Sequence, residues 1–212
     1  MARHIAHIIG PLSVPEVSLA QSSDGIVIAV DEGLDRAREA RIAPDIAVGD
    51  FDSVSTQGLT WLDTLGSDIE IHQVEARKDF SDLDLALRVC QEQGIEQVIL
   101  QGFIGGRIDH QLVVLGVCAQ YATDMKITLV DERQMIFFLV ATQSHAIEAE
   151  TEFSLLSLEG TARVSIKGAR YPLSNHLLTP LSDLGLSNYA TNESTVAVHE
   201  GICILIENKI PR

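Results

Sequence analysis

Lysine and arginine are scarce, 15 against 30 aspartate and glutamate in 212 residues, which gives a formal net charge of −15. They are scattered singly, with no basic run, so the chain repels nucleic-acid backbones and anionic membranes. Cysteine is also sparse. Cys90, Cys118 and Cys203 are odd in number and widely spaced, which excludes a disulfide framework and a CxxC zinc pair. Cys90 and Cys118 sit in apolar, helix-like stretches and read as small core residues. No long apolar run occurs. The longest, 135–141, falls far short of the ~20 residues of a spanning helix. The opening MARHIAHIIG has no long apolar stretch, so a secretory signal is not expected. The expected location is cytoplasmic, in a reducing compartment. Three signatures are missing as well: the GxxxxGKS/T phosphate loop, the GxGxxG dinucleotide turn and the GxSxG nucleophile elbow.

What is present is an ordinary globular balance, 46% apolar and 21% charged, which excludes wholesale disorder, collagen and a coiled coil. The length accommodates one large domain or two small ones. The first two-thirds alternates two textures. Short apolar runs at Gly25–Val30, 46–48, 70–74, 98–103 and Lys126–Val130 read as strands. Segments 34–41, 59–65, 81–93 and 109–121 read as helices, and in 81–93 the apolar residues Leu83, Ala86, Leu87 and Cys90 make one stripe. Strands alternating with helices predict βαβ units and a parallel sheet. From Met135 the texture changes to short β-prone runs, 136–141, 153–158, 162–166, 195–198 and 202–206, separated by Gly, Pro and Asn. The expected fold class is therefore α/β: a three-layer parallel-sheet domain over 1–137, then a smaller all-β sandwich or barrel over 138–212.

Ligands of open parallel sheets bind beyond the carboxyl ends of the strands. Four polar clusters fall there: Asp31-Glu32-Gly33, Gly49-Asp50-Phe51-Asp52-Ser53, Lys78-Asp79-Phe80-Ser81-Asp82, and the turn from Gly102 through Gly105-Gly106-Arg107 to Asp109-His110. Each has a plain structural reading. Asp79 or Ser81 would cap a helix, Asp52-Ser53 would make a turn, and the paired glycines would meet a backbone requirement. Four on one sheet edge point instead to a site. Asp50 and Asp52 share a tight turn, and Asp79 and Asp82 share a helix face. Carboxylates converging in one crevice repel unless a hard cation neutralises them, and Mg²⁺ with substrate phosphates is the usual solution. The 102–109 turn supplies the opposite need, with backbone N–H groups at a helix start and the Arg107 fork for phosphate. Together these predict a Mg-nucleotide site. His4 and His7 flank an apolar strand and are not read as a metal pair.

These motifs, with Pro44-Asp45, Tyr171-Pro172-Leu173, Leu184-Gly185-Leu186-Ser187-Asn188 and Gly201, resemble the thiamine pyrophosphokinase family in order along nearly the whole chain. The resemblance implies an α/β catalytic domain and a β-rich thiamine-binding domain, working as a homodimer with sites at the dimer interface. It implies transfer of the terminal diphosphate of ATP to the thiamine hydroxyl, giving thiamine diphosphate and AMP. It assigns Asp50, Asp52 and Asp82 as Mg²⁺ and catalytic carboxylates. Asp31, Lys78, Asp79, Arg107 and Asp109 go to the ATP site, and Ser187 and Asn188 to thiamine. Partners are then ATP and thiamine, with no nucleic acid and no membrane. The chain departs from the family pattern at Glu32, where a second Gly is usual, at Asp35 and Val114, where Asn is common, and in having no Trp in the tail, where some relatives stack one on thiamine, its only Trp being Trp61. The alternatives are a pyrophosphokinase of another hydroxymethyl heterocycle, such as a pterin, or a catalytically impaired nucleotide-binding relative. The Asp pairs taken alone also admit a metal-dependent phosphohydrolase.

Overall fold

The computed structural model describes residues 4–13, 25–73 and 80–208. The chain divides into two compact units, Met1–Asp131 and Glu132–Arg212.

In the first unit, strands β1 (Ile5–Ile9), β2 (Gly25–Val30), β3 (Ile46–Gly49), β4 (Glu70–Gln73), β5 (Gln97–Gln101) and β6 (Lys126–Val130) form a parallel sheet ordered β6-β5-β1-β2-β3-β4. The runs read as strands because both faces are covered, so GIVIAV and IAVG are continuously apolar instead of alternating. The pleat sends Ile9, Ala29 and Ala47 to one face, where they pack with Leu34 and Ala37 of α1 (Gly33–Glu39) and Leu62 of α2 (Thr56–Leu65). Ile8, Ile28 and Val48 point to the other face. There α3 (Asp82–Glu92) lies against β2 and β3 on its buried stripe Leu83, Ala86, Leu87 and Cys90. With α4 (Ile108–Tyr121) packed beside α3, the unit has three layers.

Helix α2 starts three residues before the expected 59–65 segment. The sequence hides this start because Thr56-Gln57-Gly58 has no apolar period, whereas the structure supplies a cap: Ser55 accepts the Gly58 N–H at 3.0 Å. The order of the strands also matters for the site. The chain steps outward from β1 to β4, then crosses to β5 on the other side of β1. The direction in which successive strands are added therefore switches between β1 and β5, while the strands themselves stay parallel.

The second unit is antiparallel and, among its described residues, has no α-helix. Strands β7 (Gln134–Val140), β13 (Ile202–Asn208) and β9 (Glu152–Ser157) pair with one another. Strands β8 (Ser144–Ile147), β12 (Asn188–Glu200), β10 (Ala162–Ala169) and β11 (Leu173–Leu178) pair as a second layer. The long β12 joins the layers, Asn188 and Tyr189 pairing with β9, Ala190, 195–198 and Glu200 with β10, and 194–197 with β8. Leu139, Phe153, Leu155, Cys203 and Leu205 from one layer meet Ile147, Val164, Ile166, Leu178, Val196 and Val198 from the other, which makes a sandwich core. Strands β8 and β11 were not expected from the sequence. SHAI and LSNHLL carry little apolar signal and owe their extension to the partners they pair with. The change of texture from Met135 falls within β7.

Candidate active site

A crevice of 630 Å³ opens at the carboxyl ends of β1, β2 and β5, where the strand order switches. Pro11 and Leu12 follow β1, Asp31 and Glu32 follow β2, Gly102 to Arg107 follow β5, and Ser81 and Asp82 begin α3. His110, Val113 and Val114 of α4 close one side.

The acidic cluster is built from the backbone outward. Asp31 stands at φ +48, directly after β2, with its N–H bonded to the Val48 carbonyl at 2.9 Å. Its carboxylate accepts the Phe51 N–H at 3.2 Å. Space for that carboxylate exists only because position 49 is glycine: a Cβ there would sit 2.1 Å from Asp31 Oδ1. Phe51, at φ +62, buries its ring in the core under α1 and α2 and so anchors the turn between Asp50 and Asp52. Asp50 accepts the Asp52 N–H at 3.1 Å, and the exposed Asp52 accepts the Ser53 hydroxyl at 2.8 Å. Asp82 comes from α3, where the Ser81 hydroxyl accepts the Asp84 N–H at 3.2 Å and caps the helix.

The fold brings Asp31 and Asp82 into side-chain hydrogen-bond contact. Burial, then the facing Asp82 and the nearby Asp50, push the Asp31 carboxyl up to about 7, against the opposing Phe51 N–H. Two carboxylates facing each other in a crevice repel. That donor set is short of positive charge and suits a hard dication whose remaining ligands are phosphate oxygens and water. Among the described residues no three His, Cys, Asp or Glu side chains converge on one point as ligands. Lys78 and Asp79 lie outside the described residues.

Across the crevice, the Gly102–Arg107 turn leads into α4 with Gly102, Gly105 and Gly106 all at positive φ. Arg107 is the N-cap residue but makes no capping side-chain bond. Its guanidinium forks Asp109 at 3.1 and 2.5 Å, both side chains being exposed, and Asp109 also accepts the His110 N–H. The Arg107 bond is the main cause that lowers the Asp109 carboxyl to about 2.

In the second unit, Ser187 stands exposed at φ +53, its N–H bonded to the Ser154 hydroxyl at 3.0 Å. The turn before it, Asp183–Gly185, lies so close to β9 that a Cβ on Gly185 would meet the Leu155 carbonyl oxygen at 2.0 Å. Asn188 is buried, and its carboxamide closes on the Tyr171 backbone: Oδ1 accepts the Tyr171 N–H at 3.0 Å and Nδ2 donates to the Tyr171 carbonyl at 2.7 Å. The amide that the resemblance gives to thiamine is thus committed to the chain, and it ties the Tyr171-Pro172 motif to Ser187-Asn188.

Family models of thiamin pyrophosphokinase match both units: the catalytic domain over residues 18–129 and the vitamin B1 binding domain over residues 144–203. The chain belongs to the thiamine pyrophosphokinase family. Bacillus subtilis thiamine pyrophosphokinase is 30% identical over 205 residues, 92% of each chain. The solved structure of thiamine pyrophosphokinase from Bacillus subtilis covers 98% of this chain and 100% of its own at a TM-score of 0.85 and 26% identity. That of the Geobacillus thermodenitrificans enzyme covers 97% and 98% at 0.84 and 26%.

Within this thiamine pyrophosphokinase fold, several motif residues are structural. The Asp45 carboxylate accepts the Val27 N–H at 2.8 Å and fixes β2 against β3. Asp35 is buried under the Ser55 N–H and hydroxyl, at 2.7 and 2.5 Å, which hold its carboxyl below the ordinary range despite burial and lock α1 to the cap of α2. The sequence reading missed the wall made by Gly10, Pro11 and Leu12. Its signal was there: an apolar run followed by Gly-Pro, the same strand-then-turn pattern as the other clusters. Leu12 N–H bonds the Gly102 carbonyl at 3.0 Å and draws this wall against the Gly102–Arg107 turn. Among the described residues no helix is long and apolar enough to cross a membrane. All three cysteines are buried free thiols, and burial pushes Cys90 and Cys203 up to about 12.

Proposed function

We propose that this protein is a thiamine diphosphokinase, moving the terminal diphosphate of ATP onto the hydroxyl of thiamine. The observation that carries the reading is one crevice holding the Asp31–Asp82 carboxylate pair opposite the Gly102–Arg107 turn. A bond forms between the thiamine hydroxyl oxygen and the β-phosphorus, the bond from that phosphorus to the oxygen shared with the α-phosphate breaks, AMP leaves, and the hydroxyl proton is lost.

The residues fit Mg²⁺. Asp82 and Asp50, with Asp52 in the same turn and Asp31 beside them, would each offer a carboxylate oxygen, with phosphate oxygens and water completing the shell of the ion. When bound, it neutralises phosphate charge and steadies the charge developing on the leaving oxygen. The backbone of the 102–106 turn orients the polyphosphate, and Arg107 exchanges its Asp109 fork for phosphate oxygens, with Lys78 and Asp79 completing the ATP site. Ser187 is a thiamine contact, and Asn188 serves that role by fixing the Tyr171 backbone. The cationic thiazolium ring is drawn to an acidic protein.

The protein acts in the cytoplasm as a homodimer. Exposed Ile108, Leu112 and Val113 on α4 support the dimer, and three reduced thiols support the compartment. The test is AMP release from ATP and Mg²⁺ with thiamine, with a hydroxymethylpterin and with neither. Thiamine-dependent AMP is the expected result. AMP or phosphate release indifferent to thiamine refutes the reading, and light scattering at a monomer mass refutes the dimer.

A further inference from the structure

We propose that Arg36 is a positioning residue for the nucleotide crevice, and that Glu32 is compatible with an anionic nucleotide because Arg36 holds it. This rests on the crevice being a Mg·ATP site, as argued above.

Arg36 lies one turn into α1, yet its donors point in three directions. Nε donates to the Pro11 carbonyl at 3.0 Å, Nη1 to Glu39 Oε2 at 3.1 Å, and Nη2 to Glu32 Oε1. Pro11 and Glu32 both line the crevice. Pro11 has no N–H of its own, and its neighbours are already tied to the exit of β5 through Gly10 N–H to Gln101 at 2.7 Å and Leu12 N–H to Gly102 at 3.0 Å. The guanidinium is therefore the strut that joins this wall to α1. A pair that served only the helix would not reach a carbonyl 25 residues away in sequence.

Glu32 is the second half of the argument. It sits at the N-cap of α1 but makes no capping bond, and it turns its carboxylate to Arg36 instead. It shares the crevice with Asp31 and Asp82. A bare carboxylate there would repel a polyphosphate, whereas a carboxylate closed on a guanidinium presents a dipole in place of a charge. The pair is only part-exposed, with side-chain exposures of 39% for Glu32 and 22% for Arg36, so solvent screens it incompletely. Lysine would not substitute, because a point charge cannot span three acceptors that need a planar fork.

The experiment measures Mg·ATP affinity by calorimetry, both KM values and the melting curve for wild type, Arg36→Met, Arg36→Met with Glu32→Gln, Arg36→Lys and Glu39→Gln. Arg36→Met should weaken Mg·ATP about tenfold, equivalent to about 1.4 kcal/mol, with the effect shrinking as salt rises. The thiamine KM should stay within about twofold. Adding Glu32→Gln should return Mg·ATP affinity to within about threefold of wild type, because it removes the unpaired charge. Glu39→Gln, away from the crevice, should stay within about twofold. Unchanged Mg·ATP affinity in Arg36→Met, or equal changes in both KM values and melting with no recovery in the double variant, overturns the proposal. If Arg36→Met does not fold, Arg36→Lys decides, and wild-type affinity there overturns it. A wild type that binds Mg·ATP but forms no AMP removes the kinase reading and leaves the affinity test intact. A wild type that binds no Mg·ATP overturns both.

Discussion

Gly49→Ala tests the geometry of the acidic cluster at its tightest point. Gly49 has φ +146, and an added Cβ would lie 2.1 Å from Asp31 Oδ1 and 2.8 Å from its Cγ. The backbone region is close to glycine-only, and holding a residue with a Cβ there costs roughly 1–3 kcal/mol. The overlap is with a short side chain, so Asp31 must move, and its bond from the Phe51 N–H at 3.2 Å is lost. Losing a hydrogen bond to a charged group costs about 1.5–3 kcal/mol. Partial relaxation of the turn keeps the expected loss at about 2–4 kcal/mol. The control is Gly160→Ala, which has φ +60 but nothing within 4 Å of an added Cβ. It should lose only about 1–2 kcal/mol from the left-handed backbone and keep its turnover. Denaturant unfolding with parallel AMP-release kinetics reads both. Gly49→Ala should also lower kcat by about a hundredfold or more, because the carboxylate pair is misplaced. If it unfolds and turns over like Gly160→Ala, the close approach to Asp31 is not what the site depends on.

Asp82→Asn should lower kcat by about three orders of magnitude or more. It should also stabilise the metal-free protein at alkaline pH. Asp31 is raised to about 7 when folded, so the folded chain binds a proton that the unfolded chain has released, and stability falls as pH rises from about 4 to about 7. Removing the facing charge recovers about 1 kcal/mol above pH 7 and nothing near pH 4. A melting gain that is equal at both pH values would refute the carboxylate contact. Asn188→Ala should cost about 2 kcal/mol, from the lost bonds to the Tyr171 backbone, and raise the thiamine KM while the ATP KM stays within about twofold. Equal rises in both would make Asn188 a general fold residue. Arg107→Lys should leave the melting temperature unchanged, since the side chain is 72% exposed, and lower kcat/KM for ATP about tenfold. Wild-type kinetics would remove Arg107 from the phosphate site.

The elements that were legible in the sequence were those with a strong local period. GIVIAV, IAVG and the Leu83–Cys90 stripe declare strand or helix by spacing and are found so. Elements held by their neighbours were not legible. The start of β12 carries Asn188, Thr191, Asn192, Glu193 and Ser194, with little apolar signal, and is set by the pairing of Asn188 and Tyr189 with β9, Ala190 with β10 and Ser194 with β8, while α2 gains a turn through the Ser55 cap. At the site, the sequence marks the carboxylates and the glycine turn but does not divide their work. Asp35 and Asp45 carry the same chemistry as Asp31 and Asp82 and are spent on Ser55 and Val27.

By itself, the sequence determined that a parallel α/β unit precedes a β-rich one, and that acidic and glycine-rich turns fall at strand ends. Periodicity and turn chemistry are local and survive without neighbours. Only the tertiary structure decided that Asp31 touches Asp82, that Pro11 and Leu12 wall the crevice, and that the Asn188 amide belongs to Tyr171. Those outcomes depend on which strands lie side by side. Strand order and register follow from burying the whole core at once, so no single segment encodes them.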